Sequence, residues 1–390
     1  MFDSYRQLRQ SSGGFLEDAG SPQLKQYWST AYFPALDGLR AFCVAMVIFN
    51  HTHVPYPRYM PTWMGVDIFF VLSGYLISTL LLRERERYGN VTLKGFYTRR
   101  TFRILPVYFA VLLMYVGVLL GTHDTRRWAD FKHALPYLIS FTQEFRPAQF
   151  GTVFGHAWSL GYEEKFYLVW PLLLLALFPL RGKKLWTLVL LGGVMILLPA
   201  QSSRSYGGLF IGSVLAILLD KQSPNLFQGV LSKLHVTFAL AALVAAFWLL
   251  QHDTRYVLVF SACAALLTAS LVLNRSWLSQ FLSHPLLVLF GKRSYAMYLV
   301  HVLCLNVFEK IAASIRFERW YFIVPGTYLA SFVVATGLFY LVERPCIDRG
   351  RRLSKAMRAE LTASSHAVVE AGVQGMPVIE REEEGTPRAY

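Results

Sequence analysis

Arg40 and His51, eleven residues apart inside one apolar segment, are the first pair in this sequence with the types and spacing for chemistry. Eleven helical steps of 100° bring the second side chain back to within about 20° of the first, about 16 Å farther along the axis. A neutral imidazole, with an ordinary pKa near 6.5, can take a proton from a hydroxyl group at neutral pH. A guanidinium can hold phosphate or stabilise an oxyanion. A charged arginine at mid-membrane costs about 2.5–3.5 kcal/mol on insertion scales, so Arg40 needs a polar cavity or a partner. Asp37, one turn earlier, is a candidate. The competing reading is structural: Arg40 reaches back to one interface and His51 marks the other.

Four further clusters share this character. Asp67 stands one turn inside the segment Gly65-Val66-Asp67-Ile68-Phe69-Phe70, which continues to Ser73-Gly74. An acid followed by small residues suits a helix packed around a polar site, or a capped helix start. Arg99, Arg100 and Arg103 lie three and four apart just before an apolar run, so a helix would gather their guanidinium groups. Such a cluster fits the phosphates of a nucleotide-based donor, or serves as a basic flank on anionic lipid. Ser159, Glu163 and Tyr167 recur every four residues, and Glu163 and Glu164 either serve a buried base or pair with Lys165. Ser294, Tyr298 and His301 form another polar stripe, and Glu343-Arg344-Pro345 closes the last apolar run.

Only a membrane scaffold positions residues like these. The 390 residues are 54% hydrophobic and 16% charged, against about 25% charged in an average soluble domain. Apolar residues come in long blocks, and lipid offers backbone groups no partners, so the blocks must be helices. The expected fold is therefore all-α, a polytopic bundle of ten spans near 34–54, 63–82, 104–121, 157–180, 184–200, 206–219, 235–251, 256–273, 286–308 and 321–342. The stretch 131–142 reads as an extra re-entrant or interfacial helix, and 201–205 as an outer connection. Seven basic residues in 83–103, with more after Arg344, place both termini in the cytoplasm. The net charge of +14 records this orientation and does not point to nucleic acid. Residues 1–30 read as a polar cytoplasmic segment without a cleavable leader, 31–346 as the membrane domain and 347–390 as a weakly structured cytoplasmic tail. Cys43, Cys263, Cys304 and Cys346 show no disulfide framework.

In order along the chain, LDGLRAFCVAMVIFNH, GVDIFFVLSGYLI, FYTRRTFRILPVY, HAWSLGYEEKFYLVWP, GKRSYAMYLVH and VERP resemble the acyltransferase 3 family, multi-span O-acyltransferases of the cell envelope. The resemblance covers about 34–346. It implies that Arg40 and His51 are required for transfer, that Arg99, Arg100 and Arg103 meet the donor, and that Glu163 is a functional acid. It implies acyl-CoA, in the simplest case acetyl-CoA, as donor, with no metal. The acceptor would be a glycan, lipopolysaccharide or lipid-linked hydroxyl at the inner membrane, or a small molecule such as a macrolide or glycolipid. Some relatives carry a further esterase-like domain after the last helix, and the short tail here is not expected to form one. A proton-coupled transporter or flippase is the rival class, because the same residues build proton relays; the paired halves of such proteins are not evident here. The oligomeric state is not encoded in any of these motifs.

Overall fold

A computed structural model describes residues 21–52, 64–147, 153–178, 192, 200–221, 225–252, 256–316 and 320–374. Among them the regular elements are all helical. The chain opens with α1 (Pro22–Ser29) and α2 (Pro34–His51), both started by a proline in the first turn, where its missing N–H costs nothing. Next come α3 (Met64–Tyr88), α4 (Leu93–Thr122) and the amphipathic α5 (Thr125–Ile139), capped by the Asp124 side chain. Two short 3-10 turns, Gln143–Phe145 and Gly155–Ala157, lead into α6 (Trp158–Leu177). Then follow α7 (Ala200–Leu218), α8 (Asn225–Ser232), α9 (Val236–His252) and α10 (Val257–Leu273). The chain continues through α11 (Trp277–Leu282), α12 (Pro285–Ser314) and α13 (Trp320–Leu338), and a π-turn at Phe339–Glu343 joins α13 to α14 (Arg344–Gln374).

Among the described residues four helical stretches are long and apolar enough to cross a bilayer: α3, α4, α12 and the run from Trp320 to Glu360. The bent pair α1–α2, broken by 77°, makes a fifth. The expected spans near 157–180, 235–251 and 256–273 are the helices α6, α9 and α10. The one expected near 184–200 falls outside the described residues apart from Gly192 and Ala200. The protein is an all-α membrane bundle.

Between helices in lipid there is little hydrophobic driving force, so close backbone approach and buried hydrogen bonds set the packing. Helix α3 lies against α7 with a methyl-free contact at Gly74, where any Cβ would collide with the Leu209 carbonyl. Ser213 Oγ donates to the Gly74 carbonyl at 3.1 Å across the same contact. Helices α2 and α12 meet equally closely at Gly291, beside the Asp37 carbonyl.

Two expectations are corrected. The stretch 201–205 is part of α7, because Arg204 has a buried partner that draws it into the bundle. The segment from 347 is not weakly structured as far as Gln374: α14 is amphipathic and lays Gly350 on Phe102 and Ser354 on Gly95 of α4. Glu84 clasps this end of the bundle, accepting from Arg99 (2.7 Å), Thr92 N (3.1 Å) and Arg358.

Candidate active site

A cavity of about 340 Å³ opens beside Tyr32 and Leu80 and runs inward between α2, α3, α4, α6 and α12. Three guanidinium groups line it, Arg40, Arg100 and Arg103, against the carboxylates of Asp37 and Glu163. Asp37 accepts from the Tyr32 hydroxyl at 2.6 Å near the mouth. Glu163 accepts from Ser73 Oγ at 3.0 Å and from the Tyr167 hydroxyl at 2.9 Å, and feels the charges of Arg40 and Arg100. Arg100 lies over the Tyr167 ring, 4.8 Å from its centroid, the geometry of a cation–π contact. Glu343, whose carboxylate in the π-turn is buried, lies near enough to feel the charges of Arg103, Arg40 and Arg293. Ser294 and Tyr298 complete the inner wall, and Ser294 Oγ is buried without a hydrogen-bond partner among the described residues.

Eight of the twelve candidates, Arg40, Ser73, Arg100, Arg103, Glu163, Tyr167, Ser294 and Tyr298, thus line one chamber, while Arg99, Asp67, His51 and His301 lie outside it. Arg99 is one helical step, 100°, from Arg100, so it points away from the cavity to Glu84 and Ser354. Asp67 faces α7, where Arg204 grips both its oxygens at 2.8 and 2.9 Å. That ion pair is buried at the Asp67 end, 1% exposed, and binds α3 to α7. Glu163 is not beside His51, as an orienting acid would be; it belongs to the arginine cavity. Lys165 pairs with Glu144 at 2.5 Å and with neither Glu163 nor Glu164.

His51 lies past the inner end of the cavity, in a cluster with His156 and His301. Its ring centroid is 4.7 Å from that of His301 and 6.2 Å from that of His156, and those two are 4.7 Å apart. Backbone carbonyls fix the proton on each ring, since a carbonyl only accepts. His51 Nδ1 donates to the Val47 carbonyl (2.8 Å) and His301 Nδ1 to that of Tyr298 (2.6 Å). His156 uses Nε2, donating to the Leu299 carbonyl at 3.1 Å. In His301 the remaining nitrogen, Nε2, is fully buried with no partner among the described residues. No group of three or more His, Cys, Asp or Glu among the described residues is arranged to hold a metal ion.

Sequence reasoning left out His156 as a site residue, although it opens the HAWSLGYEEKF segment. It sits in a 3-10 turn ahead of the helix, so no helical stripe includes it. Arg204 was hidden in a stretch that reads as a loop, and Glu84 in an ordinary charged flank.

A family profile described as an acyltransferase domain, acyltransferase 3, matches residues 33–344. The chain belongs to this family. All the residues of the cavity inward of Tyr32, and the three histidines, fall inside the matched range. Similar proteins include one from Staphylococcus aureus (strain COL) named a putative O-acetyltransferase. It is 31% identical over 312 residues, which cover 71% of this chain and 51% of that protein. The peptidoglycan O-acetyltransferase OatA of Listeria monocytogenes is 27% identical over 358 residues, covering 83% and 57% respectively. The chain spans about half the length of the curated relatives it matches. No solved structure matches it.

Proposed function

We propose that this chain is an O-acyltransferase of the cell membrane that takes an acyl group, in the simplest case acetyl, from acyl-CoA and places it on a hydroxyl of a cell-envelope glycan. The observation that carries this reading is the end-to-end order of the site: an arginine-lined cavity leads, across Tyr298, to a cluster of three imidazoles. The relatives named as O-acetyltransferases, one of them acting on peptidoglycan by its name, support a glycan hydroxyl as acceptor. The orientation proposed from the basic segments puts both termini and the cavity mouth on the cytoplasmic side, where acyl-CoA is made.

In this reading Arg100 and Arg103 hold donor phosphate and Arg40 lies deeper, toward the thioester. Glu163 and Glu343 keep the guanidinium groups in place before the donor arrives. Acceptor hydroxyl gives its proton to His51 Nε2 while its oxygen bonds the thioester carbon. Attack leaves a tetrahedral oxyanion at the inner end of the cavity. The carbon–sulfur bond then breaks, and the thiolate takes the proton from His51, leaving an ester and free CoA.

Purified full-length protein in lipid nanodiscs, given radiolabelled acetyl-CoA and muropeptide or polysaccharide fragments, tests the reading. Labelled acceptor with release of CoA is expected, and its loss in His51→Ala. Uptake of substrate into sealed proteoliposomes of the same protein, with no labelled product, would instead establish the transporter class.

A further inference from the structure

The cavity has an inner end, and two side chains form it. Along α3 its wall consists of Leu80, Leu76, Ser73, Leu72, Phe69 and Val66, a run of about 21 Å at 1.5 Å per residue. Opposite the last of these stand Ser159, Leu160 and Tyr298. Ser159 and Tyr298, 5% and 7% exposed, are joined by a hydrogen bond of 2.7 Å. Tyr298 donates its proton to the His156 carbonyl, so in the pair it accepts and Ser159 donates. Beyond the Tyr298 ring lie the imidazoles of His156 and His301, with ring centroids 5.7 and 5.8 Å away. One tyrosine therefore has the cationic cavity on one side and the histidine cluster on the other.

A thioester threaded from the mouth reaches this pair before it reaches His51. For a hydroxyl activated at His51 to attack, the carbonyl carbon must stand at the pair. Whatever the acyl group carries beyond that carbon must then fit among Val66, Ser159, Leu160 and Tyr298. A volume of about 340 Å³ is at the small end of ligand sites, and a pantetheine arm occupies much of it. We propose that the hydrogen-bonded Ser159–Tyr298 pair closes the inner end of the cavity and sets acyl-chain length, admitting short acyl groups and rejecting longer ones. The proposal rests on the reading of the cavity as the acyl-donor site.

The selectivity follows from packing. A methylene too many in a closed apolar pocket costs roughly 10–200-fold in kcat/KM. The ratio of kcat/KM for butyryl-CoA to that for acetyl-CoA, measured with full-length protein in nanodiscs, reads this directly. Wild type should favour acetyl by at least about tenfold. Ser159→Gly empties the space beside the pair, and Tyr298→Phe removes both hydrogen bonds while keeping the ring. Each should raise the butyryl-to-acetyl ratio by about tenfold or more, whatever happens to the absolute rate. General damage to the fold would lower both donors together and leave the ratio where it was. Two properly inserted variants with an unchanged ratio, or a wild type indifferent to chain length, would overturn the proposal. A wild type that transfers no acyl group from any CoA thioester would remove the donor-site reading itself, and this inference with it.

Discussion

The two ends of the site solve opposite problems with opposite materials. The cavity toward Tyr32 is built of charge: Arg40, Arg100 and Arg103 come from two helices, with the carboxylates of Glu163 and Glu343 within reach of their charges. The far end is built of imidazole rings, His51, His156 and His301, each pinned by a backbone carbonyl. A polyanionic donor needs fixed cations, and cations inside a bilayer need acids beside them. Carbonyl partners fix the orientation of the rings without adding charge. The difference shows why Arg40 and His51 share a helix face yet occupy different chambers: the same side of α2 passes both, three turns apart.

Changes at each end should therefore differ in kind as well as size. His51→Ala should cost the most, roughly 10²–10⁴-fold in kcat with donor KM little moved, because general base catalysis acts only in the transition state. Equal changes in kcat and donor affinity would break the division between the chambers. Asp67→Ala should act on neither step but on the fold. It leaves Arg204 facing a buried site, and removing one partner of such a pair costs about 3–5 kcal/mol, seen as a lower unfolding midpoint in detergent. Full thermal stability in that variant would show that the α3–α7 contact does not depend on the ion pair. Arg100→Ala should raise KM for acyl-CoA by roughly ten- to hundredfold, the loss of one charge-assisted hydrogen bond to phosphate. Arg99→Ala, one position away, should change it by no more than a few-fold, since that side chain is 35% exposed and pairs with Glu84 outside the cavity. Similar effects at Arg99 and Arg100 would mean that the helix presents its whole basic face to the donor.

Much of this was legible in the chain. Arg100 and Arg103 are three apart on one helix, Glu163 and Tyr167 four apart, and Ser294 and Tyr298 four apart. In each case local periodicity alone predicts a shared face, and each pair lines the cavity. What was not legible depends on partners distant in sequence. Arg204 looks like a loop residue until Asp67, 137 residues away, is placed beside it. His156 joins the site through contacts with α12, not through a stripe of its own. The charged composition of α14 suggested a solvated tail, yet Gly350 and Ser354 recur at helical spacing and seat it on α4.

The central claim is that donor binding and proton abstraction occupy separate chambers on either side of Tyr298. Calorimetric titration of acetyl-CoA into nanodisc-embedded protein, with His51→Ala and Arg100→Ala measured alongside wild type, tests it most directly. The account predicts wild-type affinity in His51→Ala and an affinity at least about tenfold weaker in Arg100→Ala. Donor binding lost equally in both variants would contradict it.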